Sequence, residues 1–197
     1  MTGPTLRRRE VVAALLEERG DLLVVAGLGS AAWDCTAAGD HFLTFPLWGA
    51  MGQAAMMGLG LALAQPQRRV LVVTGDGEAL MGLGALATIG IQGPENLAIV
   101  VLDNGRYGET GMQESHTAFG VDLAGIAGAC GFPWAETVTS ADELPELRQA
   151  VYAHPGPNFA VVKVMVEKPP LVLPPRDGAL LKARFRRALL GPEADTQ

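Results

Sequence analysis

The chain carries 197 residues, 49% of them hydrophobic and 18% charged, with a formal net charge of −6. That length provides one domain with a full core, and the apolar content excludes a disordered chain while leaving surface for another chain to cover. The acidic balance argues against a nucleic-acid partner, and no apolar run free of breakers is long enough to span a bilayer, so no membrane partner is expected.

In chain order, Arg7-Arg8-Arg9 reads as the solvated start of an amphipathic helix, Arg7 to Arg19, ended by Gly20. The opening is too short and polar for a secretory signal, so a cytoplasmic location is expected. Leu22 to Ala26 is a short apolar strand. Gly27-Leu28-Gly29-Ser30 then turns into a helix, Ser30 to Ala38, with Ser30 placed as its N-cap. Phe42 to Phe45 reads as a strand stopped by Pro46, and Met51 to Ala64 as a helix of small residues. Val70 to Thr74 is a strand, Glu78 to Gln92 a second small-residue helix, and Leu97 to Leu102 a strand. Asp103 to Gly120 has no clear period. Asp122 to Ala129 and Glu143 to Ala153 read as helices, and Trp134 to Val138 and Phe159 to Val166 as strands. A proline-rich connection leads to a basic helix, Gly178 to Leu190. Cys35 and Cys130 form no CxxC pair and read as two buried free thiols. His41, His116 and His154 are too scattered for a zinc site.

Continuously apolar strands alternating with helices predict an α/β fold: one doubly wound parallel sheet covered on both faces. The expected division is an N-terminal helix over 1–20, a binding domain over 21–167, and a connection with a C-terminal helix over 168–197. Ligands of such sheets sit at the carboxyl ends of the strands. The loops Gly27–Ser30, Gly75–Glu78 and Asp103–Gly111 meet that condition.

The stretch VLVVTGDGEAL places Asp76 between Gly75 and Gly77 at the end of a core strand. A turn alone needs no acid there. Asn104 follows the next core strand, 28 positions later, and a right-handed crossover brings such strands side by side. Carboxylate and amide oxygens are hard donors suited to Mg²⁺, which is commonly held by one or two carboxylates plus ligand phosphates. Gly77 opens a helix whose free amides favour an anion.

GDG at 75–77 followed by DNG at 103–105 closely resembles the motif of thiamine-diphosphate enzymes. By that resemblance Asp76, Asn104 and the main-chain carbonyl of Arg106 hold the metal. LWGAMGQAAMMGLGLALAQP resembles the family segment beneath the thiamine, which assigns the carbonyl of Gly49 to the aminopyrimidine and Met51 to bending the cofactor. Gly29, Ser30, Gly75, Gly77, Glu78, Ala79, Asn104 and Tyr107 are the further cofactor-binding candidates. For Ser30 and Tyr107 a purely structural role stays open. DNGRYGETGMQ and PPRDGALLKARFRRAL look most like sulfopyruvate and phosphonopyruvate decarboxylases. Glu109, Gln113 and His116 lie in the loop above the metal position, either solvated or reaching substrate as catalytic groups.

The resemblance covers the diphosphate-binding half alone. It implies a pyrimidine-binding (α) subunit as partner, in an α2β2 or larger assembly acting on a small 2-oxoacid, with thiamine diphosphate and Mg²⁺ as cofactors. A carboligating, acetolactate-synthase-like subunit and a catalytically silent cofactor-binding subunit are the alternatives. A nicotinamide enzyme is disfavoured: GLGSAA fits a dinucleotide fingerprint, but the second strand ends without the acid that holds a ribose.

Overall fold

The computed structural model describes residues 4–195; the outermost residues of both expected terminal segments lie outside the described residues. Its strands are β1 (Leu23–Ala26), β2 (Thr44–Pro46), β3 (Val70–Gly75), β4 (Leu97–Asp103), a small hairpin of β5 (Arg106–Tyr107) and β6 (Gln113–Glu114), β7 (Trp134–Val138) and β8 (Asn158–Lys163). The helices are α1 (Arg8–Leu16), α2 (Ser30–Ala37), α3 (Ala54–Ala64), α4 (Asp76–Met81), α5 (Ala85–Gln92), α6 (Leu123–Ala129), α7 (Leu144–Tyr152) and α8 (Gly178–Leu190).

Six strands form one parallel sheet in the order β2-β1-β3-β4-β8-β7. Side chains alternate between its faces, and each face has its own core. Val24, Leu71, Val73, Ala98 and Val100 face a layer that includes α1, α2 and α7. Leu23, Val25, Val72, Ile99 and Val101 face one that includes α3, α5 and α6. Burial on both faces is the physical reason the strands read as unbroken apolar runs. No helix among the described residues is long and apolar enough to cross a membrane.

Edge strand β2 is covered by α8. Phe45 meets Phe185 edge-on with ring centroids 5.5 Å apart. Arg184 donates two hydrogen bonds to Asp40, at 2.7 and 2.6 Å, and the Trp48 indole donates to the Pro175 carbonyl at 2.8 Å.

Several local expectations are corrected. The helix expected from Glu78 to Gln92 is two helices. Gly82 lies so close to the Gly52 carbonyl that a side chain there would collide with it, and the chain turns between α4 and α5. Helix α3 starts at Ala54 rather than Met51, because Ala50 (φ 59) and Gly52 (φ 90) make a left-handed turn first. Helix α1 stops at Leu16, ahead of left-handed Glu18 and Gly20. Strand β2 is shifted to Thr44–Pro46. Strand β8 ends at Lys163, with Val164 adding a single bridge to Leu6. Ser30 is the first helical residue, not the N-cap: that place belongs to Gly29 at φ 76, and no side chain caps the helix. The arginine run is not simply solvated, since Arg8 is buried. Only Cys35 is fully buried; Cys130 is half-buried.

Two helical glycines set up opposite outcomes. A methyl at Gly90 would strike the Cys130 carbonyl, whereas Gly60 faces open space. Gly90→Ala should cost about 1–3 kcal/mol through overpacking, and Gly60→Ala should gain about 0.5–1 kcal/mol from helix propensity. Urea unfolding of the isolated chain checks both signs.

Candidate functional site

The chain leaves β1 outward to β2, then returns to place β3 on the other side of β1. The loops after β1 and β3 therefore part, and a crevice opens at their carboxyl ends. The pocket found there is lined by Ser30, Met51, Asp76, Asn104 and Tyr107 among others. Strands β3 and β4 are paired in parallel, with Gly75 beside Leu102, so the residues that follow them emerge side by side.

Asp76 begins α4 and is 2% exposed. Ser115 Oγ contacts its Oδ2 at 2.5 Å and Thr117 Oγ1 at 3.4 Å. Ser115 Oγ and Thr117 Oγ1 are 2.9 Å apart. Thr117 Oγ1 donates to Asp103 Oδ1 at 2.7 Å, and Lys163 Nζ binds Asp103 Oδ2 at 2.5 Å. Ser115 Oγ donates to Asp76 Oδ2 and Thr117 Oγ1 to Asp103 Oδ1, and either hydroxyl can donate in the contact between them. The Asp76 carboxyl group is pushed up to about 6. Burial is the main cause and the charge of Asp103 adds to it, against the hydrogen bonds from Ser115 and Thr117.

Asn104 lines the same pocket, and its Oδ1 accepts the Arg106 amide at 2.9 Å. This Asx turn and left-handed Gly105 (φ 68) direct the chain into the hairpin. The Arg106 guanidinium reaches across it to Glu114 at 3.1 Å. The Tyr107 ring lies on Gly77, where a Cβ would fall 2.6 Å from ring Cδ1, and its hydroxyl meets His116 Nδ1 at 3.0 Å. Tyr107 is thus a fixed wall of the pocket.

Glu78 turns beneath the pocket floor. Its Oε2 accepts from Thr74 Oγ1 at 2.8 Å, and Gly27 leaves the space that the carboxylate fills. Burial raises its acid range, opposed by the Thr74 hydroxyl and by the amides of Ala54, Gly52 and Leu28.

Of the residues singled out in the sequence, Ser30, Met51, Gly75, Asp76, Gly77, Glu78, Asn104, Arg106, Tyr107 and Glu109 come together around this pocket. Gly29, Gly49, Ala79, Gln113 and His116 do not line it. Gly29 faces the Glu109 side chain, Gly49 is exposed, and Ala79 packs against the core. Gln113 is tied to Thr110 within the hairpin turn, and His116 is exposed beside Tyr107. Sequence reasoning missed Ser115, Thr117, Lys163 and Arg8. Their only signal was Ser115 and Thr117 at alternate positions, and nothing local says that this segment folds back over Asp76.

The donors fit a small hard cation better than zinc. No side-chain donor reaches Asp76 Oδ1 among the described residues, and the Asn104 amide oxygen stands in the same pocket. The described residues hold no group of three His, Cys, Asp or Glu that could bind a metal. One carboxylate and one amide oxygen leave room for phosphate and water ligands, as Mg²⁺ requires.

The fold is that of thiamine-diphosphate enzymes: a thiamine diphosphate-dependent 4-hydroxybenzoylformate decarboxylase from Rhodococcus jostii superposes with a TM-score of 0.69 at 19% identity, over 86% of this chain and 34% of that one. The family described as "Thiamine pyrophosphate enzyme, C-terminal TPP binding domain" matches residues 27–163, and the chain belongs to it. Among relatives, the sulfopyruvate decarboxylase subunit beta of Methanothermobacter thermautotrophicus is 37% identical over 96% of this chain and 99% of its own length. The phosphonopyruvate decarboxylase of Streptomyces viridochromogenes is 38% identical over 92% of this chain, which spans only 46% of that protein.

The raised Asp76 carboxyl makes a prediction about the ligand-free chain. The native state binds this proton more tightly than the unfolded state, whose carboxyl keeps its ordinary value of 3.8. Stability is then lost as pH rises from about 4 through about 6, and stays lost above. Asp76→Asn should therefore stabilise the ligand-free chain at pH 8 by on the order of 2–3 kcal/mol, and far less at pH 4. Denaturant midpoints at the two pH values test it.

Proposed function

We propose that the chain is the diphosphate-binding subunit of a thiamine-diphosphate- and Mg²⁺-dependent 2-oxoacid decarboxylase, of the sulfopyruvate or phosphonopyruvate decarboxylase kind. The observation that carries the reading is Asp76 and Asn104 at the ends of adjacent parallel strands, meeting in the crevice where the strand order reverses. The names of the relatives support the substrate class.

In this reading the Asp76 carboxylate, the Asn104 amide oxygen and the Arg106 carbonyl hold Mg²⁺. Ser30, Gly77 and the first amides of α2 and α4 hold the diphosphate, where helix termini favour negative charge. Met51 would give the thiamine apolar support, and Tyr107 closes the wall over Gly77. Glu109, on the exposed rim, Gln113 in the adjoining hairpin and His116 in the turn just beyond it are the candidate substrate contacts. Bound thiamine diphosphate supplies the electron sink for loss of CO₂. This chain binds, orients and shields it from water.

A pyrimidine-binding half is expected on an α subunit, in an α2β2 or larger assembly in the cytoplasm. The name "subunit beta" carried by the Methanothermobacter relative supports a split enzyme. So do the exposed apolar side chains Met57, Leu63, Met81 and Ile91 on and beside α3, α4 and α5, which a large apolar interface would cover.

Two measurements test this. Calorimetry should show thiamine diphosphate binding that depends on Mg²⁺, and Asp76→Ala should abolish that dependence while the fold survives. CO₂ release from 2-oxoacids with a second acidic group should require the partner. Turnover by this chain alone, unchanged on adding the partner, would overturn the split-enzyme reading.

A further inference from the structure

Arg8, on α1, is 6% exposed, and its Nε stands 3.1 Å from Asp34 Oδ2. The contact is an ion pair without hydrogen-bond geometry, since both atoms lack a hydrogen-bond partner. Asp34 already has a second cation: Arg9 Nε donates to Oδ1 at 3.1 Å, and Arg9 also donates to the Pro170 carbonyl at 2.9 Å. Glu167, the next acid nearby, pairs with Arg7 at 3.5 Å. Two guanidinium groups thus share one buried carboxylate, while Arg7 pairs with both Glu10 and Glu167. Structural pairing of Asp34 needs only one of them. A buried charge without a full complement of partners is costly unless a ligand completes it.

Arg8 lines the pocket together with Ser30 and Ala31. Those two residues open α2, where neither a side chain nor a backbone carbonyl caps the first amides; the bonds to Gly27 and Gly29 begin only with Ala32 and Trp33. Ser30 and Asp34 are four residues apart on α2 and share one face. Asp34 therefore holds the Arg8 guanidinium about one turn from Ser30.

We infer that Arg8 is an oxyanion ligand: its guanidinium, positioned by Asp34, joins Ser30 and the α2 amides in binding a phosphoryl, sulfonyl or carboxylate group. The inference rests on the thiamine-diphosphate reading of the pocket and adds a cation that none of the metal and cofactor candidates includes. Two sources offer that chemistry, the diphosphate of the cofactor and the far acidic group of the substrate. A guanidinium suits either, because its planar fork matches two oxygens of such groups at once.

The test compares the wild type with Arg8→Gln, which leaves Asp34 paired with Arg9. Inorganic pyrophosphate with Mg²⁺ is titrated into the full chain. Thiamine diphosphate is titrated into the complex with the partner, and KM is measured for 2-oxoacids with and without a second acidic group. If the anion is the diphosphate, pyrophosphate and thiamine diphosphate each bind about tenfold more weakly. If it belongs to the substrate, those affinities hold, and KM rises about tenfold only for the substrate with a second acid. Unchanged affinities with unchanged KM overturn the inference. Should Arg8→Gln not fold, Arg8→Met with Asp34→Asn removes the pair together and is read the same way. Failure of thiamine diphosphate to bind the wild-type complex, while pyrophosphate affinity still drops in the variant, refutes the cofactor reading and leaves the anion site standing.

Discussion

Everything around the pocket depends on a carboxyl group that the fold makes reluctant to ionise. Asp76 follows the last residue of β3, begins α4 and faces the crevice, so one residue links the sheet, the helix and the ligand site. Its neighbours organise around that reluctance. Ser115 and Thr117 come back from beyond the hairpin to contact it, and Lys163 fixes the charge of Asp103 behind them. The segment after β4 thus acquires its shape from Asp76 as much as from its own residues. A cation bound at this carboxylate would compete with a proton, and the stability lost on ionising the buried group would be offset by binding.

Space is the second constraint, and glycine supplies it for a different reason at each position. At Gly27 the missing side chain admits the Glu78 carboxylate, and at Gly77 it admits the Tyr107 ring. Neither is chiefly a matter of backbone conformation. Gly52 is: its left-handed turn carries the chain from Met51, at the pocket, into α3. The loops after β1, β3 and β4 can close on one another only because these contacts are backbone-close.

The sheet was legible because its strands are buried on both faces, a state that forces continuous apolar runs and needs no long-range information. The pairing of β3 with β4 followed from the handedness of crossovers, and with it the meeting of Asp76 and Asn104. What escaped was decided by tertiary contact. The break between α4 and α5 is set by the approach of Gly82 to Gly52, residues thirty positions apart. The burial of Arg8 depends on Asp34, in another helix. Ser115 and Thr117 look like loop hydroxyls in the chain and become buried partners only once the hairpin has folded. The N-cap role expected of Ser30 failed for a local reason: Gly29 takes the left-handed position ahead of it and leaves the amides of α2 uncapped.

The cover over β2 has a consequence for how the molecule comes into being. A bare strand edge invites pairing with other chains, and here the edge is closed by residues far along the sequence: Asp40 and Arg184 are 144 positions apart. During synthesis β1 and β2 emerge early, while α8 is still more than a hundred residues away. For that interval nascent chains on one messenger carry exposed edges within reach of each other. The stretch from Leu22 to Pro46 is therefore where a chaperone would do most good, and where crowded expression would first turn into aggregation.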